Sequence, residues 1–194
     1  MRELFDAIAA GDAGRVRELV ESDASLAGCR NDEGVSARLL ALYRGDVEML
    51  EVLVDSGAEL DVLEAAGLGA EERLEELLAH DPGCVSARSG DGFTPLHLAA
   101  FFGHPGAAAI LVEHGADVSD VARNTMRVQP IHSAAAASQV EIVRLLLDRG
   151  ADPNAVQEGG FVALDAARHH GNDELVQLLL ERGADPALAT HATG

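Results

Sequence analysis

The sequence predicts an all-α solenoid: six helix–turn–helix units stacked in one row, with short hairpin fingers between them. Three observations predict it. A pair of short apolar helices split by a glycine recurs along all 194 residues, and a fixed period of this kind marks a repeat array. The residues that separate the paired helices are Gly11, Gly45, Gly69, Gly103, Ser138 and Gly171, at spacings of 34, 24, 34, 35 and 33. The chain is 47% apolar yet has five Phe, one Tyr and no Trp. Its interior must therefore be built of Leu, Val and Ala, which suits thin helices packed close together in an elongated core.

The units span about 2–31, 34–59, 60–90, 91–123, 124–157 and 158–188 of a single domain, 1–194. Each second helix carries apolar residues three and four apart, the pattern of a helix packed on one side: VRELV (16–20), MLEVLV (49–54), RLEELL (73–78), AAAILV (107–112), EIVRLLL (141–147) and ELVQLLL (174–180). Gly57, Gly115, Gly150 and Gly183 close four of these helices, where a left-handed cap is needed.

The first unit opens with Arg2, Glu3, Leu4 and Phe5 and reads as a cap with its charges facing water. In the second, Ser36-Ala37-Arg38-Leu39 opens the first helix, so Arg38 falls where a leucine is expected and leaves the local packing open. About nine residues are missing after Glu59, and Leu60-Asp61-Val62-Leu63 runs straight into the third unit. The helix stack should continue through this break, with a gap in the row of fingers. The fourth unit is the most complete: Gly92 turns the chain, Thr94-Pro95 opens a helix, and Gly103 ends it. Pro95 and Pro130 stand at first helical positions, where a missing N–H is harmless. The fifth unit follows a longer finger, around Val121–Val128, with Arg123, Met126 and Arg127 near its tip. The sixth opens with Val162-Ala163-Leu164-Asp165, and the closing DPALATHATG is expected to fray.

TPLHLAA at 94–100, GADV at 115–118, GADPN at 150–154 and GADP at 183–186 resemble the ankyrin repeat, and the likeness extends over nearly the whole chain. DPGCVSARSGDGFTPLHLAAFFGH (81–104) is similar to small bacterial ankyrin proteins in particular. The resemblance implies that Thr94, Pro95, Leu96 and His97 are a structural motif, with His97 and Thr94 tying the first helix to adjoining loops. Pro130 and His132 are their counterparts in the fifth unit. It also implies that the two residues before each separator face a concave groove. Those pairs are Ala9-Ala10, Tyr43-Arg44, Gly67-Leu68, Phe101-Phe102, Ala136-Ala137 and His169-His170. Three of the six aromatic residues fall in them, and exposed aromatics anchor partners. Tyr43, Arg44, Phe101, Phe102, His169 and His170 are therefore candidate partner-binding residues, together with Arg123, Met126 and Arg127 on the long finger. Arg88, Asp91 and Glu158 complete the expected rim.

The net charge of −19, with every basic residue an Arg, would repel nucleic acid and anionic membranes. MRELFDAIAAGD has no signal-peptide layout, and no apolar run reaches the roughly 20 residues that span a bilayer. The expectation is a soluble, monomeric protein of the reducing cytoplasm. Cys29 and Cys84 read as small apolar fillers. His169 and His170 are neighbours on a helix, about 100° apart, and do not make a two-ligand face. No cofactor, metal or catalytic residue is expected. The leading functional expectation is a non-catalytic module that binds a protein through groove and finger tips. An alternative is a regulatory or inhibitory companion of an enzyme with a basic face. A small-ligand or metal-dependent enzyme would need an enclosed pocket, which stacked helical pairs do not offer.

Overall fold

The computed structural model describes residues 1–189. The helices form six hairpins: α1 (Arg2–Ala10) with α2 (Ala13–Ser22), α3 (Ala37–Arg44) with α4 (Val47–Asp55), α5 (Val62–Leu68) with α6 (Glu71–His80), α7 (Pro95–Phe102) with α8 (Pro105–Glu113), α9 (Pro130–Ala136) with α10 (Val140–Asp148), and α11 (Ala163–His169) with α12 (Asp173–Glu181). The odd-numbered helices pack in sequence as one row. Their small residues are what permits this: Ala65, Ala66, Ala99, Ala100, Ala134, Ala135 and Ala167 are all buried, so neighbouring backbones approach closely. No helix among the described residues is long and apolar enough to cross a membrane.

Local chemistry sets the ends of these helices. Asp12, Asp46, Ser36, Thr94 and Asn172 accept backbone N–H groups at N-termini, satisfying donors that the helix leaves unpaired. The separators take the left-handed conformation, and Ser138 adopts it too, at φ 57°. The fingers contain no strand among the described residues, only one isolated bridge between Arg30 and Ser36. Each is a tight turn: Gly92 donates to Ser89 O at 2.9 Å, Ser89 donates to Phe93 O at 2.9 Å, and Ala122 donates to Val128 O at 2.8 Å. The expected fraying of the last ten residues concerns in part residues 190–194, which lie outside the described residues.

The break after Glu59 reorganises the stack. In the outer row α2 packs on α4, α6 on α8, α8 on α10 and α10 on α12, whereas α4 and α6 barely touch. The core divides at the same place. One cluster holds Leu4, Ile8, Val16, Met49 and Leu53; a second runs from Val35 and Leu39 through Leu96 and Ile131 to Leu179. Helix α3 contributes to both, with Ala37 and Ala41 in the first and Leu39 in the second.

One expectation is corrected here, and the packing at Arg38, left open by the sequence, is resolved. The row of fingers has no gap. The turn at Glu33–Gly34 lies directly on Gly90 of the next finger, so closely that a Cβ on Gly90 would stand 1.7 Å from Glu33 O. Only glycine admits that approach. Removing a finger let its two neighbours close on each other. Arg38, in a leucine slot, is fully buried. Its guanidinium donates to the carbonyls of Leu53 (3.2 Å), Ala58 (2.8 Å) and Glu59 (3.4 Å) and to Glu64 Oε2 (2.9 Å). It thus supplies the donors that these loop carbonyls need when no finger follows. Beside it Arg30 pairs with Asp61, the N-cap of α5.

Candidate partner-binding groove

Along one side of the odd-numbered helices, between them and the fingers, lie two neighbouring hollows that share His132, Ala136 and Gln157. The larger is a cavity of about 440 Å³ bounded by Tyr43, Asp91, Phe93, Phe101, Met126 and Val128. The smaller, about 270 Å³, is bounded by Phe161, Val162, Ala166, His169 and His170.

The buried hooks behind the larger cavity hold it open. His97 is locked on both ring nitrogens: Nδ1 lies 2.7 Å from Thr94 Oγ1, and Nε2 lies 3.0 Å from Val128 O on the following finger. The ring is neutral, because burial above all drives its pKa down to about 4. Nε2–H therefore donates to the carbonyl, and Nδ1 accepts the Thr94 hydroxyl. His132 repeats the hook one unit on, with Nε2 2.9 Å from Ala155 O and Nδ1 accepting Gln129 N–H at 3.0 Å. Burial lowers its pKa in the same direction. The fingers are also tied to each other. Arg88 grips Asp120 at 2.6 and 2.8 Å, Arg123 N–H donates to Gly92 O at 3.0 Å, and Asn124 Nδ2 donates to Asp91 O at 3.0 Å.

The sequence-predicted residues divide accordingly. Tyr43, Phe101 and Met126 line the larger hollow, with 37%, 45% and 51% of their surface exposed. His169 and His170 line the smaller one, their rings edge-on with centroids 5.3 Å apart. Arg123 and Arg127 are exposed on the long finger but border neither hollow, and Arg44 leans toward Gly11 instead. Glu158 is exposed, and its backbone N–H donates to Met126 O of the long finger at 3.0 Å. Phe102 and Arg88 are also placed differently from expectation. Phe102 turns into the stack: it packs on the main core, 5.7 Å from the Tyr43 ring and over Gly67 of α5, while Phe101 meets it edge-on at 5.3 Å. Adjacent helical residues diverge by about 100°, so one ring can face the hollow only if the other faces the core. Arg88 is spent on Asp120 and is not a free rim cation.

Asp91 is a wall of the hollow and not its rim. Its carboxylate accepts the Ser89 hydroxyl and faces the Tyr43 phenol. Burial, then the charge and hydrogen bond of Asp91, push that phenol well above its ordinary range. Tyr43 and Asp91 belong to units two and four, on either side of α5. They meet because the missing finger lets those units close. Phe93 and Phe161 were not singled out from the sequence, yet a signal was there. Val35, Phe93, Val128 and Phe161 each stand two residues before a first helix, a column of large apolar residues at the finger base.

Comparisons with known proteins agree with this architecture. The family model described as ankyrin repeats in three copies matches residues 62–157 and 123–190. Human BCL-6 corepressor-like protein 1 is 34% identical over 121 residues, which is 62% of this chain and 7% of that protein. The E3 ubiquitin-protein ligase KEG of Arabidopsis thaliana is 29% identical over 165 residues, 84% of this chain and 8% of that protein. Mouse ankyrin repeat and SAM domain-containing protein 6 is 33% identical over 111 residues, 54% of this chain and 12% of that protein. The chain thus spans only a small part of each of these relatives, all of them eukaryotic. Among solved structures, the ankyrin repeat domain of Bcl-3, a member of the IkappaB family, superposes with a TM-score of 0.60 at 28% identity, covering 95% of this chain and 87% of that one.

Proposed function

This chain belongs to the ankyrin repeat family, and we propose that it is a non-catalytic module that binds a protein partner in the groove between the odd-numbered helices and the fingers. The observation that carries this reading is the larger hollow, where Phe101 leaves 45% of its surface exposed on a rigid, hydrogen-bonded wall. A large ring held exposed on such a wall is suited to anchor a partner. The hollow is open on one side, and both of its histidines are engaged on both ring nitrogens as structural hooks, which supports a binding reading. We take residues 1–194 as one monomeric domain of a reducing cytoplasm, in keeping with two unpaired cysteines. The bacterial likeness of residues 81–104 also belongs to this reading.

A pull-down from the native cytoplasm tests it, wild type against a Phe101→Ala/Met126→Ala variant. Both side chains are exposed, so the variant should fold, and it should lose a specific protein band that the wild type retains. An unchanged set of captured bands would refute the groove as the binding face. If the acidic surface instead steers the chain to the basic face of an enzyme, the net charge of −19 makes capture fall steeply with salt and leaves it indifferent to Phe101.

A further inference from the structure

The larger hollow contains a charge that its apolar lining does not explain. Asp91 is the one formally charged residue that borders it among the described residues, since His97 and His132 are held neutral by burial. No cation among the described residues pairs with it. The nearest candidate in sequence, Arg88, is committed to Asp120, and Asp91 makes no ion pair among the described residues. Its partners are neutral hydroxyls, Ser89 and Tyr43. A partner segment seated on Phe101 and Met126 must cover this carboxylate. An apolar segment would strip it of water and return nothing. A cationic side chain would meet a counter-charge in a half-enclosed, low-dielectric place, with aromatic faces for its stem and head.

We propose that the hollow between Tyr43, Phe101 and Met126 takes the lysine or arginine side chain of an extended partner segment, with Asp91 as its counter-ion. This deepens the groove reading above and rests on it. The site is a product of the missing finger: Tyr43 comes from the second unit and Asp91 and Phe101 from the fourth, and the loss of the finger between the second and third units is what brings them together. The excess of acid over the whole surface draws a basic segment in; Asp91 sets where its cation stops.

Tyr43 is the single tyrosine of a chain without tryptophan, so its emission reports occupancy directly. The probes are blocked peptides Ala-Leu-Ala-X-Ala-Leu-Ala, with X lysine, arginine or the uncharged lysine isostere norleucine, titrated at physiological salt. The lysine and arginine peptides should quench or shift Tyr43 emission and bind about tenfold tighter than the norleucine peptide. Asp91→Asn, which keeps the shape and removes the charge, should remove that difference. Glu51→Gln, an exposed acid on α4, should leave it intact. Should Asp91→Asn misfold, the comparison of peptides on the wild type still decides. Norleucine binding as tightly as lysine would overturn the cation site and leave the apolar groove standing. Equal losses from Asp91→Asn and Glu51→Gln would reduce the effect to diffuse attraction and also overturn it. Lysine and arginine peptides that leave Tyr43 unmoved at millimolar concentration would do the same, while the pull-down reads the groove independently.

Discussion

Replacing Arg38 with leucine, the residue type that Leu96 supplies in the same slot of the fourth unit, should destabilise the protein even though it restores the repeat pattern. Arg38 is fully buried, and Glu64 keeps 2% of its surface. The substitution leaves the Glu64 carboxylate in the interior without its cation, and one of its oxygens, Oε1, already has no hydrogen-bond partner among the described residues. The carbonyls of Leu53, Ala58 and Glu59 lose donors as well. Removing one partner of a buried ion pair costs about 3–5 kcal/mol. Replacing both with apolar groups is often close to neutral, so Arg38→Leu/Glu64→Leu should be more stable than Arg38→Leu alone. Urea unfolding followed by circular dichroism measures the cycle. Hydrogen exchange adds location: because the core divides at this junction, residues 2–55 should lose protection before the rest in Arg38→Leu. A variant within 1 kcal/mol of wild type by this measure, with protection unchanged, would show that the pair does not hold the two blocks together.

Three further outcomes follow from the same geometry. His97 titrates near 4 in the fold against 6.5 unfolded, so the unfolded chain binds more protons between those values and stability must fall as pH drops through that window. The limit is roughly 3 kcal/mol from this ring, with His132 adding in the same direction; His97→Asn should show a shallower pH dependence in urea melts, and an equal slope would refute the assignment. Phe102→Ala should cost about 3 kcal/mol, as a ring packed on the core does, while Phe101→Ala should cost under 1 kcal/mol; thermal melts that reverse this order would show the two rings misassigned. Gly90→Ala should destabilise by at least about 2 kcal/mol, because its Cβ would meet the Glu33 carbonyl at 1.7 Å and backbone on both sides must move; an unchanged melting temperature would mean the two fingers do not touch.

The helices, their caps and their order were legible in the residues, because each rests on chemistry within a few positions. Thr94 caps the helix that Pro95 starts, the glycines at Gly11, Gly45, Gly69 and Gly103 turn the chain where φ must be positive, and apolar residues three and four apart choose the packed face. The hook of His97 was legible too, from the motif that carries it. The consequences of the missing finger were not. Whether the neighbours would leave a gap or close over it depends on backbone surfaces far apart in the chain, Glu33 against Gly90 and Tyr43 against Phe102. Arg38 in a leucine slot likewise left the local packing open, and only the fold shows that its charge replaces lost backbone partners. A repeating sequence specifies each unit and the interface between regular neighbours. Where the repeat is interrupted, the interface has no template, and three-dimensional closure alone determines which side chains meet, the aromatic ring and the carboxylate of the groove among them.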